Sequence, residues 1–284
     1  MRPMADDRQP LRRRDLEAVE IDLLAEGIYE AYGFDFRRYS RPSFRRRVWR
    51  RVEAEGLTSI SGLLERVLHD PVAMQRLLSD LSVNVSAMFR DPGFYRVFRA
   101  KVVPQLRTYP FLRVWNAGCA TGEETYSVAI LLKETGLYDR TRIYATDMNE
   151  GILDQARSRA YPIAKMREYT ANYIDAGGTR SFSEYYVADG DRVVFQSSLA
   201  ENIIFAQHNL VTDRSFNEFH VIMCRNVMIY FDRELQDHVH HLLYDSLAPF
   251  GVLGLGNRET LDFVKYRDAY QQLDEHERLY RKVA

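Results

Sequence analysis

A glycine-containing turn between a strand and a helix constrains this chain more than any other stretch. The sequence AGCATGEETYS occupies residues 117–127, with an apolar run at 111–115 before it and an apolar helical pattern at 126–132 after it. Gly118 and Gly122 carry no side chain, so a ligand can approach the backbone there, and the N–H groups of the helix N-terminus are free to bind it. The stretch predicts an α/β domain with a ligand-binding turn at the carboxyl end of a strand.

The charge of this turn narrows the choice of ligand. Glu123 and Glu124 occupy the first turn of the predicted helix, where two carboxylates repel a pyrophosphate and suit a ligand with positive charge. The sequence lacks a G-x-x-x-x-G-K-[ST] motif and the third glycine of G-x-G-x-x-G, which disfavours ATP and NAD. A second interpretation remains, because Thr121-x-x-Glu124 also fits a capping box that only satisfies a backbone donor.

An acidic residue at the end of the next strand favours the ligand interpretation. The alternating apolar segment 142–146 ends at Asp147, 25 positions after Gly122. Nucleotide-binding folds place the carboxylate that accepts ribose hydroxyls at about this distance, roughly 20 residues beyond the glycine turn. A ribose without phosphates, combined with a positive charge, describes S-adenosylmethionine.

Composition sets outer limits on the chain. Its 284 residues, 46% of them hydrophobic, suffice for one large core and a second, small one. Apolar runs of membrane-spanning length are absent, and the N-terminal sequence lacks the apolar core of a signal peptide, so we expect a cytoplasmic protein. Cys119 and Cys224 stand outside any zinc-binding spacing, and we expect them to be reduced and packed beside the ligand site.

The patterns divide the chain into segments of different character. Residues 1–14 are polar and basic and predict a loose tail, and residues 15–98 show helical periodicity throughout. Residues 99–284 carry the strand and helix patterns of the α/β domain. Within that domain a polar stretch at about 162–198 contains a hairpin pattern, which predicts a small antiparallel β-subdomain inserted into the larger fold.

One predicted helix, SFRRRVWRRVE at 43–53, lies in an unusually basic region. Eight arginines and no acid occur between residues 37 and 51. The periodicity turns apolar side chains inward and Arg46, Arg47 and Arg50 outward. The segment is either a solvated helix face or a docking surface for an acidic partner, and slight aromatic interleaving makes nucleic acid the weaker choice of partner.

A second helix face raises the question of a metal. His238, His240 and His241 lie on a predicted amphipathic helix without acidic residues at ligand spacing. We interpret them as a solvated face and expect no metal site.

Four segments together resemble one family. NVSAMFRD, AGCATGEETYS, ATDMN and CRNVMIYF are similar, in order and approximate spacing, to signature segments of the chemotaxis receptor glutamate O-methyltransferases, the CheR family. The resemblance implies a class I S-adenosylmethionine methyltransferase domain with a Rossmann-like, mostly parallel sheet. It also implies a helical N-terminal domain and an inserted β-subdomain. The implied reaction is methyl transfer to glutamate side chains on the cytoplasmic helices of chemoreceptors, with S-adenosylhomocysteine as the product.

The resemblance assigns roles to individual residues of this sequence. The implied cofactor-binding residues are Asn84, Ser86, Arg90, Gly118, Glu124, Asp147, Asn209, Leu210, Arg225 and Asn226. Among these, Glu124 would hold the methionine end, Asp147 the ribose, and Asn209 with Leu210 the adenine. Arg90 and Tyr230 would orient the reacting groups, and Arg46, Arg47 and Arg50 would dock the receptor.

Some positions depart from the family pattern. Ser86 stands where threonine is usual and Met88 where an aromatic residue is usual; serine keeps the hydroxyl, whereas methionine changes the pocket packing. The turn VADGDR is shorter than the glycine-rich turn of relatives that bind a tethered receptor pentapeptide. We therefore expect binding that is independent of such a pentapeptide.

Two other functions remain open at this stage. One is a non-catalytic signalling module that binds S-adenosylmethionine or S-adenosylhomocysteine. The other is a methyltransferase of a small molecule or of another protein. The presence of Arg90 and Tyr230 beside the cofactor motifs favours catalysis, and the arginine-rich helix disfavours a small substrate.

Overall fold

A computed structural model describes residues 13–82 and 86–283. The chain forms two compact units that divide between Leu81 and Ser82. The first helix begins at Arg13, inside the segment expected to be a tail; residues 1–12 lie outside the described residues. Asn84 of the predicted cofactor site lies outside them as well.

The first unit is helical. Its helices are α1 (Arg13–Tyr32), α2 (Arg41–Ala54), α3 (Ile60–His69) and α4 (Pro71–Leu81). Apolar residues three and four positions apart form one face on each, as in α3, where Ile60, Leu63 and Val67 are buried. Ser59 caps α3 by accepting a hydrogen bond from the N–H of Gly62. Packing of these faces, α1 on α3 and α2 on α4, builds the unit's core.

The second unit begins with helical turns that belong to its own core. These are α5 (Pro92–Val97), a π-helical turn at Phe98–Val102 and α6 (Val103–Leu106). Phe94, Phe98 and Val102 are buried in one cluster with residues of the central sheet. The helical periodicity predicts a domain boundary at residue 98, because the apolar pattern of 92–98 matches that of the preceding helices. The side chains of this stretch instead pack on the sheet.

A seven-stranded sheet forms the centre of this unit. The remaining elements, in chain order, are β1 (Leu112–Ala117), α7 (Glu123–Glu134), β2 (Thr141–Asp147), α8 (Glu150–Ser158), β3 (Ala160–Pro162), α9 (Met166–Asp175), β4 (Tyr186–Asp189), β5 (Arg192–Phe195), β6 (Ile203–Gln207), β7 (Phe219–Cys224), α10 (Arg233–Ser246), β8 (Leu247–Leu255), β9 (Tyr270–Gln272) and β10 (Leu279–Lys282). The strand order is β6-β2-β1-β7-β8-β10-β9. In this order, β6, β2, β1, β7 and β8 pair in parallel with one another. Strand β10 pairs antiparallel with both β8 and β9.

This order fixes where a ligand binds. The chain runs outward from β1 to β2 and β6, then returns to place β7 on the other side of β1. The direction of winding therefore reverses between β1 and β7, and open α/β sheets bind ligands at the carboxyl ends of strands at such a reversal. The glycine turn follows β1 directly at this point.

A separate sheet of three strands, in the order β3-β5-β4, is inserted between β2 and β6. Its strands pair antiparallel, and a two-residue turn at Gly190 and Asp191 joins β4 to β5, with Gly190 in the left-handed region at φ +61°. The predicted fold class is thus confirmed: a mostly parallel sheet, a helical N-terminal domain and a small antiparallel insertion.

Candidate functional site

The glycine turn is anchored on the neighbouring strand. The N–H groups of Gly118 and Cys119 both donate to the carbonyl of Thr146, at 2.8 and 2.9 Å. Gly118 has φ +72°, and a Cβ there would lie 2.6 Å from Cγ2 of Val227. Only glycine therefore allows the turn after β1 to approach the loop after β7 so closely.

Glu124 does not form a capping box. Helix α7 is capped by Gly122 without a side-chain hydrogen bond, and the carboxylate of Glu124 accepts hydrogen bonds from Asn116 Nδ2 at 2.8 Å and Arg225 Nη1 at 2.6 Å. The first turn of α7 is therefore tied to the ends of β1 and β7. This excludes the capping interpretation of the motif.

Arg225 joins Glu124 to a second carboxylate. Its Nη2 donates to Asp91 Oδ2 at 2.8 Å and to the carbonyl of Arg90 at 3.1 Å, and its guanidinium lies 4.2 Å from the centre of the Phe94 ring. The side chain is 1% exposed. One buried cation between two carboxylates leaves one negative charge in excess, so the cluster favours a positively charged ligand beside the glycine turn.

The segment before α5 is held in an uncommon conformation. Phe89 and Asp91 both have left-handed φ angles, +51° and +58°, and the N–H of Phe89 donates to Ser127 Oγ of α7 at 2.8 Å. These contacts fix the backbone on both sides of Arg90, whose side chain is half-buried. Strain of this kind, of order 1–3 kcal/mol per residue, is concentrated at functional sites.

The other residues of the signature NVSAMFRD differ in their surroundings. Ser86 is half-buried, whereas Met88 is fully buried. The Met88 carbonyl accepts a hydrogen bond from Asn172 of α9 at 3.0 Å. The methionine that replaces the usual aromatic residue therefore packs in the core.

Asp147 ties the end of β2 to the glycine turn. Its Oδ2 accepts from the N–H of Ala120 and its Oδ1 from the N–H of Asn149, both at 3.1 Å. Burial raises the pKa of this carboxyl, and the backbone N–H donors counter the effect. Each oxygen of the carboxylate keeps lone pairs for a further donor such as a ribose hydroxyl.

The residues expected at the adenine lie beside Asp147. The N–H of His208 donates to the Asp147 carbonyl at 3.1 Å, so the chain after β6 is held at the end of β2. Asn209 and Leu210 follow immediately. Asn209 accepts from the N–H of Val211 at 3.0 Å, and the Leu210 side chain is buried.

A residue that sequence reasoning missed organises the loop after β7. The carboxylate of Glu259 accepts hydrogen bonds from four backbone N–H groups, those of Asn226, Val227, Met228 and Gly256, at 2.7 to 2.9 Å. Glu259 is 5% exposed. Its burial raises the pKa of the carboxyl, and the backbone donors counter this. The only signal in the sequence is an acid that follows the predicted strand at 252–256, at the sheet edge where ligands bind.

The loop that Glu259 holds carries two predicted site residues. Asn226 has a left-handed φ of +61°, a conformation that asparagine tolerates better than most residues. Tyr230 ends the 3₁₀ helix Met228–Tyr230 and is half-buried. The structure thus brings the glycine turn, Glu124, Asp147, Arg225 and this loop to one edge of the sheet.

In the first unit, acids from distant parts of the chain pair with most of the arginine-rich segment. Arg45 pairs with Glu17, and both Arg50 and Arg51 pair with Asp80. Further pairs join Arg37 to Asp35 and Glu26, and Arg41 to Asp22. The acids missing from the segment are therefore supplied by α1, by α4 and by Asp35 in the loop just before it.

The three arginines predicted to dock a partner differ from one another. Arg47 is half-buried and donates to the carbonyls of Asp80 and Leu81 at the end of α4, at 3.4 and 2.7 Å. Arg50 is exposed and bonds Asp80 at 2.6 Å. Arg46 is exposed and has no hydrogen bond or ion pair with any residue in the described ranges. Arg46 is therefore the arginine most available to a partner.

The sequence pattern predicts that the three histidines of α10 share one solvated face, and the structure shows that this prediction is wrong. His240 is 4% exposed, whereas His241 is exposed and lies 3.3 Å from Asp245. Over residues 13–82 and 86–283, no group of three or more His, Cys, Asp or Glu side chains is placed to hold a metal ion. In the same part of the chain, no helix is both long and apolar enough to cross a membrane.

Comparisons with known proteins agree with this architecture. The model of the CheR methyltransferase SAM-binding domain matches residues 84–278, and that of the CheR all-alpha domain matches residues 20–82. A Pseudomonas putida protein named Cher3 is 48% identical over 93% of this chain and 97% of its own length. The chemotaxis protein methyltransferase of Escherichia coli is 28% identical over 91% of this chain and 90% of its own length. On these matches the chain belongs to the CheR methyltransferase family, whose cofactor is S-adenosylmethionine.

Proposed function

We propose that this protein transfers a methyl group from S-adenosylmethionine to glutamate side chains on the cytoplasmic helices of chemoreceptors, and that it acts in the cytoplasm. The observation that carries the proposal is the buried Arg225 between the partly exposed Glu124 and Asp91, an arrangement with one negative charge in excess beside the glycine turn. The relatives named chemotaxis protein methyltransferase support the choice of receptor substrate.

The residues at the carboxyl edge of the sheet fit the cofactor. The excess negative charge suits the sulfonium and ammonium groups of S-adenosylmethionine, and Glu124 is placed to hold its methionine end. Asp147 has lone pairs for ribose hydroxyls. The bound cofactor would supply the activated methyl group. The protein would supply positioning, which contributes roughly 7–11 kcal/mol in well-oriented reactions.

The arrangement also fits a carboxylate as methyl acceptor. A glutamate side chain has a reference pKa of about 4.3 and is ionised at neutral pH, so transfer to it requires no general base. The carboxylates of the site are already engaged by donors. Arg225 holds Glu124 and Asp91, and backbone N–H groups hold Asp147 and Glu259. Such carboxylates are poorly placed to remove a proton from an amine or hydroxyl acceptor.

We assign Arg90 and Tyr230 to the orientation of the reacting groups. The backbone of Arg90 is held by left-handed neighbours and by Arg225. Tyr230 lies at the end of the loop that Glu259 fixes. Tyr230 would donate a hydrogen bond or pack against the acceptor rather than remove a proton. The two-residue turn between β4 and β5 supports receptor binding that does not depend on a tethered pentapeptide.

The direct test is methylation of a receptor cytoplasmic fragment from the same organism with methyl-labelled S-adenosylmethionine. We expect label that base releases as methanol, because carboxyl esters are base-labile and N-methyl groups are not. In the Tyr230→Phe variant we expect turnover to fall by about 10²-fold or more with cofactor affinity retained, since misplacement of reacting groups has effects of that size. In the Arg90→Ala variant we expect the same fall in turnover at saturating cofactor.

Three outcomes would contradict parts of this proposal. Base-stable label would assign transfer to a different acceptor and overturn the glutamate proposal. Cofactor binding without transfer to any receptor fragment would indicate a signalling module instead. Full turnover in both variants would show that Arg90 and Tyr230 do not orient the reacting groups.

A further inference from the structure

An exposed aromatic ring lies in the segment that leaves the carboxyl end of β8. Among the large apolar side chains that the structure describes, Phe263 is the most exposed, at 78%. It lies in the segment between β8 and β9, four positions after Glu259. The guanidinium of Arg233, at the first position of α10, lies 5.2 Å from the centre of its ring. The stacked pair is therefore ordered at the surface with little burial of the ring.

The segment that carries Phe263 is fixed to the site. Glu259 binds the loop after β7 through three backbone N–H groups, and Leu261 is buried. On the far side, Lys265 pairs with Asp237 of α10 at 3.3 Å. Phe263 therefore lies between two fixed points of the segment, Glu259, which binds the loop after β7, and Lys265, which pairs with α10. A binding surface built in this way needs little ordering when a partner arrives.

The charge around the ring points to an acidic partner. Arg258 is exposed and has no hydrogen bond or ion pair within the ranges that the structure describes. Arg233 is also exposed and forms no ion pair with an acid there. The nearby Asp262 lies 4.0 Å from Arg267 and also accepts from Thr260 Oγ1 at 2.6 Å. One cation without an acidic partner therefore lies on the ring, and a second precedes it by five positions in the same segment.

Both Arg233 and Phe263 are unfavourable choices for stability alone. A cation in the first turn of a helix opposes the helix dipole, with a penalty of typically 0.3–1 kcal/mol. An exposed phenylalanine leaves its apolar surface in water. Residues that break local rules together at one place are characteristic of functional surfaces.

We propose that Phe263, Arg233 and Arg258 form a docking surface for the acidic polypeptide that carries the methyl-accepting glutamate. The ring would pack on an apolar side chain of the substrate helix, and the two arginines would pair with its carboxylates. The inference rests on the proposed function. It adds a contact between the substrate and the second unit of the chain. The surface would contribute to the affinity for the substrate and would not contribute to cofactor binding.

The test compares Phe263→Ser and Arg258→Glu with a matched control, Phe111→Ser. Phe111 is also an exposed phenylalanine, at 48%, but it precedes β1 at the opposite end of the sheet. With a receptor cytoplasmic fragment we expect KM to rise about tenfold in the first two variants, as for the loss of one interface anchor. We expect kcat at saturation, cofactor Kd and the control to stay unchanged.

A binding assay with the receptor fragment, measured by fluorescence anisotropy, distinguishes failure of the docking surface from failure of the proposed function. Wild-type methylation with an unchanged KM in Phe263→Ser and Arg258→Glu would overturn the docking surface and leave the proposed function intact. A wild-type protein that neither methylates nor binds the fragment would overturn both. Binding without methylation, weakened by Phe263→Ser, would support the surface and reject the glutamate reaction.

Discussion

Glu259 shows how a residue distant in sequence can shape a binding loop. A carboxylate that accepts four backbone N–H groups satisfies donors that would otherwise be buried without partners. It also fixes the left-handed conformation of Asn226 next to Arg225. We therefore regard Glu259 as a positioning residue for the cofactor loop, although it belongs to none of the four signature segments.

We predict that Glu259→Gln weakens cofactor binding. Glutamine has nearly the same volume, but its amide nitrogen is a donor and would face backbone donors, and each buried N–H left unpaired costs about 1–3 kcal/mol. The Kd for S-adenosylmethionine, measured by calorimetry, is expected to rise about tenfold, which corresponds to about 1.4 kcal/mol. The exposed Glu275→Gln is the matched control.

A Glu259→Gln protein that keeps its cofactor affinity would show that the loop holds its shape without the carboxylate. A Glu259→Asp variant adds a second check. A shorter carboxylate that restores part of the affinity would attribute the effect to the four donors rather than to general loss of packing.

The residues at the site differ in how far the sequence predicts them. Glu124, Asp147 and Arg225 follow strands or the glycine turn, and the winding of the sheet brings such positions together. The partner of Glu124 was not predictable, because Arg225 lies 101 positions away. Glu259 was missed for the same reason, since its hydrogen bonds to the loop span 31 to 33 positions.

At the scale of elements, α10 contains a buried histidine. His240 Nδ1 is buried and has no hydrogen-bond partner among the residues that the structure describes. Burial lowers the pKa of His240 to about 4. Helical periodicity alone placed it with His238 and His241 on one face. Its position three residues before the buried Leu243 shows that it belongs to the packed stripe instead.

Stability should therefore fall in acid because of this helix. The unfolded chain binds a proton at His240 near pH 6.5, whereas the folded protein stays neutral there until about pH 4. Acid thus favours the unfolded state, and the loss between pH 6.5 and pH 4 amounts to roughly 3 kcal/mol, with none above pH 7. We expect urea unfolding of His240→Leu to lose this pH-dependent part.

The exposed His238→Asn serves as the control in the same helix. It should keep the wild-type dependence on pH. Equal slopes for wild type and His240→Leu between pH 6.5 and pH 4 would assign the acid sensitivity to other groups.

Long elements were easier to predict than short ones. The parallel strands and α7 follow clear apolar patterns, whereas β3 and β9 have three residues each, too few for an alternating pattern to stand out. The helical pattern alone assigns residues 92–98 to the first unit, whereas their side chains pack in the core of the second. Helical periodicity gives a buried face but does not say which unit covers it.

At the scale of the whole molecule, net charge conceals how the arginines are used. The segment 37–51 appears free of acids in the sequence, but acids between Glu17 and Asp80 pair with most of it. Even Glu55, close to the segment, is shared by Arg76, Arg66 and Arg51, and the hydrogen bond from Arg76 is the main cause that lowers its pKa to about 2. Local counting of charges therefore overstates the surface available to a partner.

We predict that neighbouring arginines of α2 have different functions. Arg46→Glu should raise KM for a receptor fragment several-fold with unchanged stability, because Arg46 is exposed without an ion pair in the described ranges. Arg47→Glu should lower the unfolding temperature, because it places a carboxylate beside the carbonyls of Asp80 and Leu81. Steady-state kinetics and thermal unfolding measure the two effects.

The exposed Arg107→Glu makes the same change of charge before β1 and serves as the control. If it raises KM as much as Arg46→Glu does, the effect is one of overall charge and α2 is not a docking helix.

The contacts of Glu259 also bear on the order in which the protein becomes competent during synthesis. A nascent chain that has passed Arg225 already contains the glycine turn, Asp147 and the buried cation, but three N–H groups of the next loop have no acceptor until residue 259 leaves the ribosome. The loop beside the glycine turn is therefore completed only after residue 259 has been synthesised. A chain interrupted before that residue would lack the acceptor that shapes this loop, and we expect it to bind S-adenosylmethionine more weakly than the full chain.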